Sequence, residues 1–216
     1  MLINLVKKDF ILIKKYLLIL LIFAAVAPIY ISSQLRLYDG GLISFLLTVL
    51  LVEYILFGTV SRLEDKYKGS ALICATPYTR KEFVKAKYLF LFIIFISIAV
   101  IRIMISLIMP SSIEKLNINA FEITFLLTSI IFGILIPVQF KFGYEKTKLI
   151  WFFMMFIPPF VFPTLMKAIQ VSRPISFTIT LPFPQMIQDW VPFFISLVIV
   201  LISMVISLKI YAKKDL

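Results

Sequence analysis

The chain has 216 residues, of which 62% are hydrophobic and only 15% are charged, and it carries a net charge of +11. Soluble globular domains are about half apolar and about a quarter charged, so this composition is typical of a polytopic membrane protein. Because the chain has no histidine and a single cysteine, Cys74, it excludes an internal disulfide, a Cys/His metal cluster and histidine acid–base catalysis. We therefore predict an all-α polytopic membrane protein with one domain (1–216) and no catalytic or metal site.

Residues 1–15, MLINLVKKDFILIKK, have the periodicity of an amphipathic helix. At about 100° per residue, Asn4 and four lysines fall within one arc, and apolar side chains such as Phe10 fill most of the rest. The four lysines are Lys7, Lys8, Lys14 and Lys15. We predict an interfacial helix, with its lysines toward anionic headgroups, that meets the first span at an elbow near Tyr16. The alternative is a positively charged flank that is merely helical.

Six stretches are apolar and long enough for a bilayer crossing of roughly 20 residues. We place these six transmembrane helices at Tyr16–Ile31, Leu42–Val60, Leu89–Met109, Ile123–Phe140, Leu149–Lys167 and Val191–Ile210. The fifth contains Pro158, Pro159 and Pro163, which predict a kinked or broken helix. In the first, Ala25-Val26-Ala27 resembles a signal-peptide cleavage site, but the apolar run continues through Pro28, so we expect an uncleaved span.

The distribution of lysine and arginine predicts the orientation, because cytosolic loops carry the excess of positive charge. Seventeen basic residues lie on one side of the predicted spans and four on the other, namely Arg36, Lys115, Lys167 and Arg173. The basic residues flank apolar runs instead of lining a polar face, which argues against a nucleic-acid partner. We predict a multi-pass protein of the bacterial plasma membrane, in contact with membrane lipids, with both termini in the cytosol.

Two charged residues fall inside predicted spans, Glu53 in the second and Arg102 in the third. A charge at the centre of a bilayer costs about 2.5–3.5 kcal/mol on insertion scales, so such residues usually pair with one another or face a cavity. An arginine side chain that bends toward the cytosol would bring its guanidinium to the depth of Glu53. We expect a buried Glu53–Arg102 pair that holds the two helices together, or else a wet lining of a transport path.

Between the second and third spans lies a charged cytosolic passage, residues 61–88. Its first helix should end near Ala75, because Thr76-Pro77 disfavours the helical conformation. Thr79 and Glu82 form the T-x-x-E pattern of a capping box, which predicts a second helix with a basic face made by Lys81, Lys85 and Lys87. The passage is longer than a connection between spans requires. It is either a solvated loop or a docking element for a cytosolic protein.

The passage resembles a loop of the ABC-2 type permeases of bacterial exporters. In that family the loop after the second span reads E-E/D-K, then L-x-x-L-P, then S/T-R-x-E and a late lysine. Here the corresponding residues are Glu64-Asp65-Lys66, then Pro77, then Arg80-Lys81-Glu82, then Lys87. The chain departs from the pattern at Cys74-Ala75-Thr76, where many members carry a leucine and a serine. The L-x-K-K-D start, residues 5–9, and the close, Ser207–Leu216, are also similar to the family.

The resemblance implies a coupling segment that docks on an ABC ATPase, the nucleotide-binding subunit. The implied docking residues are Arg62, Glu64, Asp65, Lys66, Tyr67, Leu72, Ile73, Pro77 and Arg80. It also implies a second permease copy or a homologous permease, as a homo- or heterodimer, and an outer, re-entrant segment at residues 168–190. That outer segment could equally be an ordinary loop.

The chain lacks the glycine-rich loop that ATP hydrolysis requires, G-x-x-x-x-G-K-[ST]. The nearest fragment, Gly143-Tyr-Glu-Lys-Thr147, lacks the second glycine. We therefore expect no cofactor on this chain, with ATP and magnesium bound by the partner ATPase. The chain would then be the membrane subunit of an exporter for a hydrophobic or amphipathic substrate. By analogy with similar permeases of Gram-positive bacteria, that substrate would be an amphipathic peptide. The alternative is an autonomous membrane protein, either a secondary transporter or an ATP-independent immunity protein.

Overall fold

A computed structural model describes residues 2–35, 41–67, 78–108, 116–150, 152–153 and 185–213, with side chains except at 31–35 and 185–189. The described residues form helices and no strand. The six main helices are α1 (Leu2–Leu12), α2 (Lys14–Leu35), α3 (Leu42–Lys66), α4 (Arg80–Ile108), α5 (Ile118–Phe142) and α6 (Gln185–Ala212). Residues 144–150 are also helical.

Four of these helices, α3 to α6, are long and apolar enough to cross a membrane. A fifth span results if α1 and the described part of α2 are counted together, although the two are bent by 79° at Ile13. The all-helical class and four of the predicted spans are thus found. The predicted fifth span, Leu149–Lys167, and the outer segment at 168–190 lie mostly outside the described residues.

The bend between α1 and α2 occurs three residues before the predicted elbow at Tyr16. Ile13 is fully buried there, and its carbonyl accepts the backbone N–H groups of Tyr16 and Leu17, both at 2.8 Å. The apolar face of α1 was expected to face lipid. Instead Leu5 and Val6 pack against Ala86 at the start of α4. The neighbouring helix therefore takes up a surface that the sequence pattern assigned to the acyl boundary.

The core is built from aromatic rings where α3, α4 and α5 meet. The ring of Phe95 contacts those of Phe45, Phe121 and Phe125 at centroid distances of 6.1, 5.2 and 5.0 Å, and Phe125 stacks on Phe193 of α6 at 5.5 Å. Edge-to-face and offset geometries of this kind are favourable because ring edges are positive and ring faces negative. These contacts hold the helices in place around a central cavity.

The helices α5 and α6 make the most extensive contact in the structure. Gly133 lies at this contact: a Cβ added there would touch Ile199 at 3.4 Å and Ser203 at 3.6 Å, both on α6, so a longer side chain would meet α6 directly. The hydroxyl of Ser203 donates to the Gly133 carbonyl at 2.6 Å. Small residues allow membrane helices to approach closely, where packing replaces the hydrophobic effect as the main attraction.

We expect Gly133→Leu to destabilise the protein, because the added side chain has no room between α5 and α6 and overpacking costs about 1–3 kcal/mol. Thermal unfolding in detergent should show a lower Tm for this variant. The matched control is Gly58→Leu, since a Cβ at Gly58 meets nothing within 4 Å. Equal Tm values for the two variants would contradict the assigned helix contact.

Candidate functional site

The ends of several helices gather at one end of the bundle. The start of α4 contacts the end of α6, where the guanidinium of Arg80 donates to the Ala212 carbonyl at 3.4 Å. Phe83 of α4 packs on Tyr211 of α6 and on Phe140 of α5, at centroid distances of 5.4 and 6.1 Å. We call this the loop end, because the passage between α3 and α4 emerges from it.

The capping box predicted at the start of α4 is present. The hydroxyl of Thr79 accepts the backbone N–H of Glu82 at 3.2 Å, and the Glu82 carboxylate accepts the backbone N–H of Thr79 at 3.1 Å. These reciprocal bonds satisfy donors that the first turn of a helix leaves open. The helix therefore begins at Arg80, and its position along the chain is fixed by local chemistry.

The helix α3 runs further than the predicted span, which was placed at Leu42–Val60. It continues through the Glu64-Asp65-Lys66 stretch and ends at Lys66, and the N–H of the capping residue Tyr67 donates to the Leu63 carbonyl at 3.0 Å. The charged opening of the passage is thus an extension of the transmembrane helix and not the start of a separate one. The predicted helix end near Ala75, together with Leu72, Ile73 and Pro77, lies outside the described residues.

Four charged side chains, three of them largely buried and Lys8 partly exposed, form a cluster at the loop end. We call it the charge cluster: Lys8 and Asp9 of α1, Glu64 of α3 and Lys87 of α4. Nζ of Lys87 lies 3.0 Å from Oδ2 of Asp9 and 2.8 Å from Oε1 of Glu64. Nζ of Lys8 lies 2.6 Å from the same Glu64 oxygen. The cluster has two positive and two negative groups, so it joins three helices without leaving a net charge.

Burial makes the charge cluster unlike a surface ion pair. The side chains of Asp9 and Lys87 are 1% and 2% exposed, and that of Glu64 is 13% exposed. Removing such charges from water costs several kcal/mol per ion, which the ion pairs only offset. The net stabilisation is therefore small, whereas the loss of one member would leave a buried charge without compensation. The cluster therefore determines which helices pack together, and it adds little to the stability of that packing.

An aromatic ring completes the cluster. Nζ of Lys8 and Nζ of Lys87 lie 5.4 and 5.2 Å from the centroid of the Phe83 ring. Lys8 also approaches Oδ1 of Asp9 at 3.2 Å, but that oxygen receives no hydrogen bond of good geometry from the described residues. The negative ring face adds a cation–π attraction for both ammonium groups. Phe83 thereby shields the cluster on the side of the α6 terminus.

The pKa of Lys8 reflects two opposed effects. Burial by itself would lower this pKa, but the attraction of Glu64 and then of Asp9, together with the hydrogen bond to Glu64, outweighs burial and raises the pKa above the usual 10.5. A raised pKa in the folded state means that the protonated side chain stabilises the folded protein. That contribution is complete below the usual lysine pKa and is lost as the pH rises through the raised value.

The structure separates the predicted docking residues into two groups. Arg62, Asp65, Lys66, Tyr67 and Arg80 are exposed around the loop end. Glu64 is instead committed to the charge cluster, and Lys87, assigned to a basic face of α4, is buried in it. On α1 and α2, Lys7, Lys14 and Lys15 are exposed, whereas Phe10 packs on Phe90 at 5.1 Å.

Arg102 and Glu53 do not form the expected pair. Nη2 of Arg102 lies 2.7 Å from the position that a Cβ would take on Gly41, at the opposite end of α3 from the loop end. Gly41 and Glu53 are twelve residues apart on α3, which is about 18 Å along a helix. The side chain bends away from the loop end because Arg102 lies closer to the far end of α4, so the assumed direction was wrong.

Two parts of the site escaped the sequence analysis. Asp9 was assigned no role, although a carboxylate beside an apolar helix face needs a partner. The hydroxyl of Tyr88 bonds to Ser203 at 2.7 Å and to Ser207 at 2.8 Å, tying α4 to α6. Because Ser203 donates to the Gly133 carbonyl, Tyr88 is the donor to Ser203 and the acceptor from Ser207. No sequence signal marked these serines.

We expect Lys87→Met to cost about 3–5 kcal/mol, because it leaves the Asp9 and Glu64 carboxylates with one ammonium group between them. Unfolding in detergent should show a large loss of stability. Lys81→Met is the matched control, since Lys81 is exposed on the same helix, and it should change stability by less than about 0.5 kcal/mol. Adding Asp9→Asn to Lys87→Met should restore part of the loss. Additive effects of the two substitutions would contradict direct coupling.

The pKa shift of Lys8 predicts how stability depends on pH. The Tm of the wild type should exceed that of Lys8→Met by a constant margin up to about pH 10, and the margin should shrink above about pH 10.5 as Lys8 loses its proton. Thermal unfolding of both proteins from about pH 8 to 12 would measure it. A margin that vanishes below about pH 9 would mean that Lys8 is not held protonated by the two carboxylates.

A protein-family model described as "ABC-2 family transporter protein" matches residues 4–212. The match covers nearly the whole chain, including most of α1, the charge cluster and all the described transmembrane helices. Comparison with curated proteins and with solved structures finds no match. Members of this family are membrane subunits that associate with an ABC ATPase and are not ATPases themselves. The chain belongs to the ABC-2 transporter family, as the resemblance of its loop predicted.

Proposed function

We propose that the chain is the transmembrane permease subunit of an ATP-driven exporter, which moves a hydrophobic or amphipathic substrate, most simply a peptide, out of the cell or its membrane. The observation that carries the proposal is the charge cluster, which ties α1, α3 and α4 together at the point where residues 68–77 connect α3 with α4. Family membership supports the general role, and the cluster supports the way in which force would reach the helices.

The mechanical argument begins with the two helices that flank the loop. Glu64 lies on the last turn of α3 and Lys87 on the second turn of α4, so their 2.8 Å contact closes the base of the loop. Asp9 and Lys8 add α1 to the same contact. Because these pairs are short and buried, a force on the loop would move the three helix ends as one unit. Packed cores shift between discrete arrangements and do not deform continuously.

The exposed residues around the loop end form the proposed docking surface for the ATPase. Asp65 and Lys66 end α3, Tyr67 follows them, and Arg80 begins α4. Mixed charges with an aromatic side chain are suited to a polar protein interface. Leu72, Ile73 and Pro77 would complete this surface from the loop itself. ATP and magnesium would be bound by the partner chain alone.

The same geometry supports an assignment of membrane sides. The ends of α3 and α6, the start of α4 and the charged residues of α1 meet at the loop end, where the basic residues are concentrated. By the positive-inside rule we assign this end to the cytosol of a bacterial plasma membrane, with both termini there and α1 at the interface. Pairing with a second copy or a homologous permease would complete the transporter as a dimer.

The test is co-purification from the host membrane of a tagged wild type and two double variants, with partners identified by mass spectrometry. Asp65→Ala with Lys66→Ala removes one acid and one base from the docking surface. Glu145→Ala with Lys148→Ala is the matched control, because it removes an exposed ion pair, 2.6 Å long, at the same net charge. We expect an ATPase with Walker motifs to accompany the wild type and the control and to fall at least fivefold in the docking variant.

Two outcomes would count against the proposal. If the wild type brings down no ATPase, the permease assignment fails and an autonomous membrane protein becomes the better interpretation. If all three proteins bring down the ATPase equally, the docking surface lies elsewhere on the chain.

A further inference from the structure

A partly open cavity of about 390 Å³ lies among α3, α4, α5 and α6. Small-molecule sites in proteins are typically about 300–1,000 Å³ and mostly apolar, with a few polar groups that fix orientation. This cavity is lined chiefly by aromatic and aliphatic side chains, among them Phe92, Phe95 and Phe132. Thr128 and Ser129 add hydroxyl groups from α5. Its composition is therefore that of a ligand site and not that of a water-filled channel.

One charged group inside the span lines the cavity: the carboxyl group of Glu53, a residue only 2% exposed. Among the described residues, no ion pair or hydrogen bond to this carboxyl group is found. Arg102 lies about 18 Å away along the helices. Lys85, the other charged residue of the lining, lies close to the charge cluster, because it is two residues before Lys87, which contacts Glu64. Glu53 is eleven residues before Glu64 on α3, or about 16 Å deeper along the helix, so Lys85 is far from Glu53. The carboxyl group therefore faces the cavity without a counter-ion from the described part of the chain.

A carboxyl group in this position requires an explanation. Ionisable residues inside a membrane are costly, and they mark ion or substrate sites where they face a cavity. A protonated, neutral carboxyl group needs no counter-ion, whereas the ionised form requires a positively charged partner, which the described helices do not provide. A ligand that brings a positive charge and an apolar body would satisfy both the carboxylate and the phenylalanine lining, and the ring faces would add cation–π attraction.

We propose that this cavity binds a hydrophobic organic cation, with Glu53 as its counter-ion and Phe92, Phe95 and Phe132 around its apolar part. The inference rests on the proposed export function only in identifying the ligand as the cationic end of the transported substrate. Binding itself needs neither the ATPase nor transport. The lining of the cavity extends to Lys85, near the loop end.

The test measures binding of radiolabelled tetraphenylphosphonium to the purified chain in lipid nanodiscs, without any ATPase. Triphenylphosphine oxide, a neutral molecule with similar rings, is the matched probe. Glu53→Gln should weaken binding of the cation about tenfold, as expected when a charge partner is lost from a site of low dielectric constant. It should change binding of the neutral probe by less than about twofold, because the aromatic lining is intact.

Two further variants keep the result interpretable. Glu122→Gln removes a buried carboxyl group of α5 that does not line this cavity, and it should leave binding of both probes unchanged. Ser129→Phe fills the cavity and should abolish binding of both. Size-exclusion profiles and Tm values of all variants would confirm that they are folded.

The outcomes separate this proposal from the exporter assignment. Equal cation binding by the wild type and Glu53→Gln would overturn the proposed site, whatever the co-purification shows. If Ser129→Phe still binds the cation, whether or not its oligomeric state changes, the cavity is not the binding site and the proposal is also overturned. Absence of an ATPase partner would remove the transport role and leave the measured cation site intact.

Discussion

The charge cluster is the constraint on which the arrangement of the loop end depends. Asp9, Glu64 and Lys87 come from three helices that are far apart in sequence, and each lies within 3.0 Å of an oppositely charged atom of the cluster. Apolar packing in a membrane discriminates poorly between helix registers, because lipid is as apolar as the side chains it would replace. A buried ion pair discriminates strongly, because sliding one helix by a single turn would leave several charges without partners. The cluster therefore specifies the position of α1 against α3 and α4.

This constraint explains why α1 packs against protein although its sequence has the pattern of a lipid-facing helix. The spacing of apolar residues along a sequence shows that a helix has an apolar side but not what covers that side. Leu5 and Val6 pack on the start of α4 because Asp9, on the same side of α1, pairs with Lys87. The exposed Lys7 is still available for headgroups. The helix thus combines an apolar face buried against protein with a basic face of the kind that binds a membrane surface.

Local chemistry was predictable from the sequence and interhelical partners were not. The capping box at Thr79 and the apolar spans depend on neighbours within a few residues, so the sequence identifies them directly. The cluster and the Tyr88–Ser203 hydrogen bond depend on which helix faces which, and a single sequence does not contain that information. The Glu53–Arg102 prediction failed for the same reason, because the direction of the arginine side chain is set by its surroundings. Lys87 is the clearest case, because its place on an exposed basic face was inferred from spacing alone.

The helix α4 links the charge cluster to the cavity. Lys87 points into the cluster, whereas the next residue, Tyr88, lines the cavity and holds α6 through Ser203 and Ser207. Successive helical residues point about 100° apart, so one turn of α4 contacts two different groups of helices. If an ATPase displaces the unit formed by α1, α3 and the start of α4, either α6 must move together with Tyr88 or the hydrogen bonds of Tyr88 must break. Either response changes the wall of the cavity that contains Glu53. In the proposed mechanism, a force applied at the loop therefore reaches the ligand site through a single turn of α4. A longer path through the bundle is not required.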